Sequence, residues 1–327
     1  MKKILVCGAG GFIGHHLITR LKSLGEFVVG IDYKFPRYEK TRADEFIIAD
    51  LRDNSVFESR LSNDYDEIYQ LAADMGGAGY VFTGIHDSKI MLNSALININ
   101  ILNFVKNHCK QARIFFSSSA CIYPQQNQTD KDTPNCREDS AYPAHPDSEY
   151  GWEKLFSERL YIASNKDAGI ITRIGRYHNI FGEKGSWGNG KEKAPAAICR
   201  KVAEATDLNP TVEVWGDGLQ SRSFLYIDDC VEATIKLMRS DVNVPLNIGS
   251  EHLISINKLV DIVSRIAGKA VNIVHVKGPQ GVRGRVSDNE LIFQKLAWKP
   301  IVSLEQGLQK TYEWVEQQVI NQNKDCQ

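Results

Sequence analysis

Ile4-Leu5-Val6-Cys7 runs into Gly8-Ala9-Gly10-Gly11-Phe12-Ile13-Gly14, and a helical stretch over residues 15–24 follows. The four residues before the glycines read as a strand. Gly8, Gly11 and Gly14 stand three apart. Glycines at that spacing permit a tight turn and let backbone come close to a pyrophosphate, with Phe12 and Ile13 carried in the same turn. The helix start then supplies amide donors and the positive end of a dipole. Alone, such a turn is also an ordinary strand–helix connection. A second strand over residues 27–31 ends in Asp32. An acidic residue there accepts hydrogen bonds from the adenosine 2′ and 3′ hydroxyls and repels a 2′-phosphate, which favours NAD over NADP.

Working outward, residues 46–49 read as a third strand, ending at Asp50 and Leu51, where an adenine ring would pack. Residues 67–73 read as a fourth, and Leu71, Ala72 and Ala73 at its end let backbone approach a cofactor. The stretch Asp74-Met75-Gly76-Gly77-Ala78-Gly79-Tyr80 is too rich in glycine for a helix start. It would wrap a substrate or serve as a mobile connection. Helical pattern over 87–110, strand over 114–116, helix over 150–164 and strand over 170–174 continue the alternation. The fold class is α/β, a doubly wound parallel (Rossmann) sheet. Beyond residue 175 the regularity loosens, Arg176 and Tyr177 leaving the sheet through a loop. A second glycine-rich loop spans 185–190. A smaller C-terminal lobe is expected over the carboxyl ends of the strands. The division is residues 1–175, with returning segments at about 224–250, for the dinucleotide, and 176–223 with 251–320 for the substrate. Residues 321–327 read as a frayed polar tail.

Composition sets the outer limits. The chain has 327 residues, 43% hydrophobic and 24% charged, which is ordinary for a soluble globular protein. A net charge of −1 offers no basic footprint for nucleic acid or anionic membrane. No apolar run approaches the length of a bilayer span. The N-terminus enters a strand pattern with no cleavage site for a signal peptide. Seven cysteines, an odd number, without a CxxC pair fit a reducing cytoplasm. The eight histidines show no metal-ligand spacing, so no metal is expected.

The chemistry lies between Ser117 and Lys154. The apolar strand ends in Ser117-Ser118-Ser119, as suits a strand that stops at an open crevice, and Ala120-Cys121-Ile122-Tyr123-Pro124 follows. Tyr150 and Lys154 are four apart, on one face of a helix. A lysine ammonium beside a phenol would lower the phenol's pKa, and a tyrosine so tuned can take a proton from a hydroxyl held by Ser119. Cys121 is not needed for that step, and a cysteine after a central strand is usually a small buried hydrophobe.

The glycine turn, Asp32, Ser119, Tyr150 and Lys154 together resemble the extended short-chain dehydrogenase/reductases that act on nucleotide sugars. Three stretches resemble more narrowly the GDP-mannose 3,5-epimerases: Asp74-Met75-Gly76-Gly77, Ser118 through Pro124, and Glu192-Lys193-Ala194-Pro195-Ala196-Ala197. So do residues 215–223 and Gly278-Pro279-Gln280-Gly281-Val282-Arg283-Gly284-Arg285, while Ala78 and Tyr80 depart from the pattern. The resemblance implies that bound NAD takes hydride from sugar carbon 4 as Tyr150 accepts the hydroxyl proton. Carbons 3 and 5 of the ketone are then acidic. Cys121 and Lys193 would be the base and acid that invert them before hydride returns. It further implies substrate contacts at Gly76, Ser119, Ala120, Cys121, Asn179, Glu192, Lys193, Ala194, Lys201, Gln220, Ser221, Arg222 and Arg285, with Arg283 the alternative to Arg285. The implied partners are a GDP-sugar, GDP-mannose giving GDP-L-galactose or GDP-L-gulose, and a second copy of the chain, docked through the helices that begin near Asp87 and Tyr150. A GDP-heptose epimerase, a 4-epimerase and a non-catalytic NAD-sensing protein stay open. A 4,6-dehydratase is disfavoured, because Ala120-Cys121 stands where an Asp-Glu pair would be.

Overall fold

A computed structural model describes residues 1–188, 190–279 and 281–325. Seven parallel strands make the main sheet: β1 (Lys3–Cys7), β2 (Phe27–Asp32), β3 (Glu45–Ile48), β4 (Glu67–Gln70), β5 (Arg113–Ser119), β6 (Ile171–Tyr177) and a last strand Leu246–Ile248. Their order is Leu246–Ile248, β6, β5, β4, β1, β2, β3, and every pairing is parallel. This is the doubly wound sheet that the strand–helix alternation predicts. Alternation within the strands divides the core. Ile4 and Val6 of β1 and Phe115 of β5 pack with Leu17 and Leu21 on one face. Leu5, Cys7, Ile114 and Phe116 pack with Ile101, Val105 and Tyr161 on the other. Successive side chains point to opposite faces, so a strand covered on both sides must be apolar throughout.

The chain winds from β1 to β3 in one direction and from β4 to β6 in the other. The strand order therefore reverses between β1 and β4, and a crevice opens beyond their carboxyl ends. The helix Phe12–Ser23 follows β1, Asp87–His108 precedes β5, and Glu149–Ala168 precedes β6. Three-stranded pairing of Ser221–Ser223 with Leu253–Ser255 and Gly284–Arg285 lies outside the main sheet, as does the pair Thr211–Trp215 with Asn272–Val276. No helix among the described residues is long and apolar enough to cross a membrane.

Some boundaries differ from the sequence reading. The glycine-rich stretch after β4 does begin a short helix, Ala78–Val81, because Gly77 takes the extended N-cap conformation and leaves the helical positions to its successors. Arg176 and Tyr177 stay in the sheet, paired with Asn247 and Ile248 of the returning strand. β4 stops at Gln70, so Leu71, Ala72 and Ala73 lie beyond the strand, with the Leu71–Ala72 backbone against Gly8. The tail does not fray at 321, since the helix Leu304–Asp325 is anchored through buried Leu304, Leu308, Val315 and Val319. Cys326 and Gln327 of that expected tail lie outside the described residues, as do Asn189 of the second glycine loop and Gln280.

Candidate functional site

The glycine turn closes one side of the crevice. Gly8 has φ +83, a conformation that L side chains rarely adopt. A Cβ on Gly14 would lie 2.2 Å from the Gly8 carbonyl oxygen, so helix and turn can meet only without one. The helix Phe12–Ser23 has no side-chain cap and no acidic residue in its first turn. Its start thus carries no side-chain cap and no negative charge to compete with an anion at the helix's positive end. Asp32, at the end of β2, accepts from the amides of Gly10 (3.0 Å) and Lys34 (3.2 Å). Burial pushes its carboxyl above the usual range, and those two amides pull the other way. The Gly10 contact was not singled out by the three-apart spacing; its signal was the second glycine of the run. These residues fit a dinucleotide. Farther along, Asp50 is engaged by Arg52 (3.0 Å from Nε), and the Leu51 side chain is buried in the core.

The serines at the end of β5 are held from behind. Lys154 Nζ donates to the Ser117 carbonyl at 2.8 Å, and the Ser118 hydroxyl donates to Glu158. Glu158 forms a two-point buried pair with Arg176 (3.0 Å each). Lys154 Nζ also lies 5.9 Å from the centre of the Tyr150 ring. The phenol is nevertheless not lowered in pKa. Burial of Tyr150 raises it well above its ordinary value, Cys121 adds to that, and the hydrogen bond with Ser119 only partly opposes them. Burial likewise lowers Lys154. The sequence reading rested on the Lys154 charge and left out desolvation, which dominates here, with Cys121 rather than Lys154 the largest charge acting on the phenol.

Cys121 sits in the short 3-10 turn Ala120–Ile122, which Ser119 caps by accepting from the Cys121 amide at 3.2 Å. A Cβ on Gly151 would lie 2.2 Å from the Cys121 carbonyl oxygen, so the helix carrying Tyr150 presses directly on this turn. Cys121 is the one cysteine among those described that is not buried. Lys193 is the N-cap of the helix Ala194–Glu204. Burial lowers its pKa, and Cys121, close enough to act on it, opposes the shift. Segments far apart in the chain thus bring the thiol and the amine within electrostatic range of each other. Arg285 joins them: its Nη1 donates to Cys121 Sγ at 3.1 Å, its Nη2 to Asp147 at 3.0 Å, and its Nε to Gln128. Neither Gln128 nor Asp147 was legible as a site residue, since each is an unremarkable polar residue in a loop. Arg283 instead pairs at the surface with Asp217.

The glycine loop docks on the segment that leads to Lys193. The Gly77 amide donates to the Lys191 carbonyl at 2.9 Å, and a Cβ on Gly77 would lie 2.1 Å from the Glu192 carbonyl oxygen. Gly76 and Ala194 are half-buried beside it, and Ala120 is buried. Glu192 faces Arg200 at 3.6 Å, and Lys201 donates to the Glu213 carbonyl. Asn179 takes a positive φ of 44 and donates to the Ser223 carbonyl. Ser221 donates to the Lys131 carbonyl. Gln220 is buried, and its Oε1 lacks a hydrogen-bond partner among the described residues. Burial and the nearby Arg285 lower Arg222 to about 9. Arg222 donates to the carbonyls of Ser221 and Val282.

A family model described as the NAD dependent epimerase/dehydratase family matches residues 4–249. The sequence is 44% identical over 97% of this chain, and 83% of the relative, to a GDP-mannose 3,5-epimerase of Arabidopsis thaliana. It is 27% identical over 96% of this chain, and 98% of the relative, to a putative UDP-glucose 4-epimerase of Methanocaldococcus jannaschii. Among solved structures, UDP-glucose 4-epimerase of Thermotoga maritima with UDP-glucose is similar at a TM-score of 0.86 and 25% identity, covering 97% of this chain and 99% of that one. UDP-glucuronic acid 4-epimerase of Bacillus cereus, in complex with UDP-glucuronic acid and NAD, gives 0.79 and 26%, with coverage of 97% and 99%.

Proposed function

The chain belongs to the NAD dependent epimerase/dehydratase family and, within it, to the GDP-mannose 3,5-epimerases; from this premise we propose that it is an NAD-dependent isomerase inverting the hexose of GDP-mannose at carbons 5 and 3. The observation that carries the reading is the half-exposed Cys121 thiol, on the turn capped by Ser119 and held by Arg285, with Lys193 within electrostatic range of it; a plain 4-epimerase does not require such a thiol. The glycine turn, the uncapped helix and Asp32 would hold NAD, which when bound accepts a hydride from sugar carbon 4 and later returns it.

The side chains do the rest. Tyr150 takes the carbon 4 hydroxyl proton, and the Ser119 hydrogen bond favours the phenolate form that this needs. The ketone makes the protons on carbons 3 and 5 acidic, and Ser119 and Tyr150 stabilise the enolate oxygen. One member of the Cys121/Lys193 pair removes a proton from one face, and the other delivers a proton to the opposite face. Burial lowers Lys193 below an ordinary lysine, which favours the neutral amine that can accept a proton. Arg222 and Arg285 are the guanidinium groups at hand for the diphosphate. Arg285 already donates three hydrogen bonds within the protein and has two N–H groups left for this.

The same reading divides the chain into a cofactor unit, residues 1–175 with 224–250, and a sugar-nucleotide lobe. It also pairs two copies. Leu92, Leu96 and Ile99 on the helix Asp87–His108, with Trp152 and Phe156 on Glu149–Ala168, are exposed apolar side chains on helices that pack on each other. A second copy would cover them. A cytoplasmic setting agrees with the six free cysteines among the described residues. The test of function is a panel of GDP-, UDP- and dTDP-sugars followed by proton NMR. Turnover of GDP-mannose to a 5- or 3,5-inverted product is expected, and turnover of a UDP-sugar at carbon 4 alone would replace this reading with a 4-epimerase.

A further inference from the structure

The acid–base cysteine has a held partner. Arg285 reaches Cys121 Sγ with Nη1 (3.1 Å) and Asp147 Oδ2 with Nη2 (3.0 Å), while Nε is on Gln128. The side chains of Arg285 and Asp147 are only 6% and 4% exposed, so the pair is shielded from water and directional. Asp147 is itself tied down. The Ser148 hydroxyl donates to Asp147 Oδ1 at 3.3 Å, and Ser148 is the N-cap of the helix that carries Tyr150, accepting from the Gly151 amide. The carboxylate thus belongs to the tyrosine helix, whereas the arginine arrives on the strand Gly284–Arg285. A guanidinium gripped at Nε alone can still swing in its plane. A second grip at Nη2 fixes that plane and leaves Nη1 on the sulfur.

We propose that Asp147 is a positioning residue for Cys121, holding the Arg285 guanidinium so that it donates to the sulfur and favours the thiolate. The use of that thiolate in proton transfer rests on the function proposed above; the clamp itself does not. A charge-assisted hydrogen bond to sulfur is stronger to the ionised form than to the neutral thiol. Other groups face Cys121 from neighbouring elements: Lys193 at the start of Ala194–Glu204, Tyr150 and Lys154 on Glu149–Ala168, Arg222 on Ser221–Ser223, and the Cys136 thiol. Asp147 carries a negative charge that, acting through space alone, would disfavour the thiolate. Orientation and bare charge therefore have opposite signs, and a series of variants separates them.

The readout is the pH midpoint for iodoacetamide alkylation of Cys121, followed by mass spectrometry of its peptide in the full-length protein. Asp147→Ala removes the grip, and the midpoint rises by about one pH unit. Asp147→Asn keeps an acceptor and removes the charge, so its midpoint stays at or below that of the wild type. In an Arg285→Gln background the midpoint is already high, and adding Asp147→Ala raises it no further; this double variant avoids a buried unpaired charge. An unchanged or lowered midpoint in Asp147→Ala, an Asn variant that rises as far as Ala, or a further rise in the double variant would overturn the proposal. Alkylation requires no turnover. A protein that keeps this pattern but fails to turn over GDP-mannose contradicts the functional reading alone.

Discussion

The crevice proposed to hold the dinucleotide and the pocket proposed for proton transfer are built in opposite ways. The crevice comes from one continuous stretch, Lys3 to Ser23, closed by Asp32, and it is built mostly of main chain: bare glycines and a helix start without a side-chain cap. The pocket draws single side chains from separate places, Cys121 after β5, Tyr150 on a helix, Lys193 at the cap of another, and Arg285 on a short strand of the C-terminal part. Main-chain sites tolerate little change in shape and much in side-chain chemistry. The pocket should behave in reverse, so changes to the two regions should be separable.

The largest expected effect is in the pocket. Cys121→Ala should lower epimerisation by about a thousandfold, within the range for a lost acid or base. Bound NAD should be undiminished in the purified protein, and loss of cofactor from this variant would break the separation. Gly14→Ala is the matching change in the crevice. Its new Cβ, 2.2 Å from a carbonyl oxygen, should cost at least about 3 kcal/mol in urea unfolding and strip NAD from whatever folds. Wild-type cofactor content in that variant would remove the steric account of the turn.

The difference also explains what could be read in advance. A turn made of adjacent glycines between a strand and a helix is local, so the sequence displays it, and the strand alternation displayed the sheet around it. Cys121 and Lys193 stand far apart in the chain, and nothing in their sequence neighbours ties one to the other; resemblance to a family pointed to them. Asp147 and Gln128 were not seen at all, because their importance lies in which arginine they hold. The phenol of Tyr150 was misjudged for a related reason. Its partner Lys154 is visible at a spacing of four, but its burial depends on the whole fold.

Smaller effects sharpen the comparison. Gly77→Ala places a Cβ 2.1 Å from the Glu192 carbonyl oxygen and must push the segment before Lys193 aside. A loss of about tenfold in kcat is expected with NAD content unchanged, as measured by steady-state NMR assay and absorbance. Last, His178 is fully buried on Asn247, and burial lowers it to about 3. The unfolded chain takes up a proton near pH 6.5 that the folded chain refuses. Stability is therefore full above 6.5 and is lost as pH falls toward 3, at about 1.4 kcal/mol per unit for this group. Urea midpoints between pH 7 and 5 should flatten in His178→Gln, and an equal slope in both proteins would assign the acid sensitivity to other groups.

The claim at the centre is that a thiol and an amine exchange protons at the two carbons flanking carbon 4. Incubation of GDP-mannose with the protein in deuterated water, read by proton NMR, tests it directly. Deuterium should enter at carbon 5 and carbon 3 and be absent from carbon 4, with uptake abolished in Cys121→Ala. Inversion without solvent deuterium at either flanking carbon, or undiminished uptake in Cys121→Ala, would contradict the account.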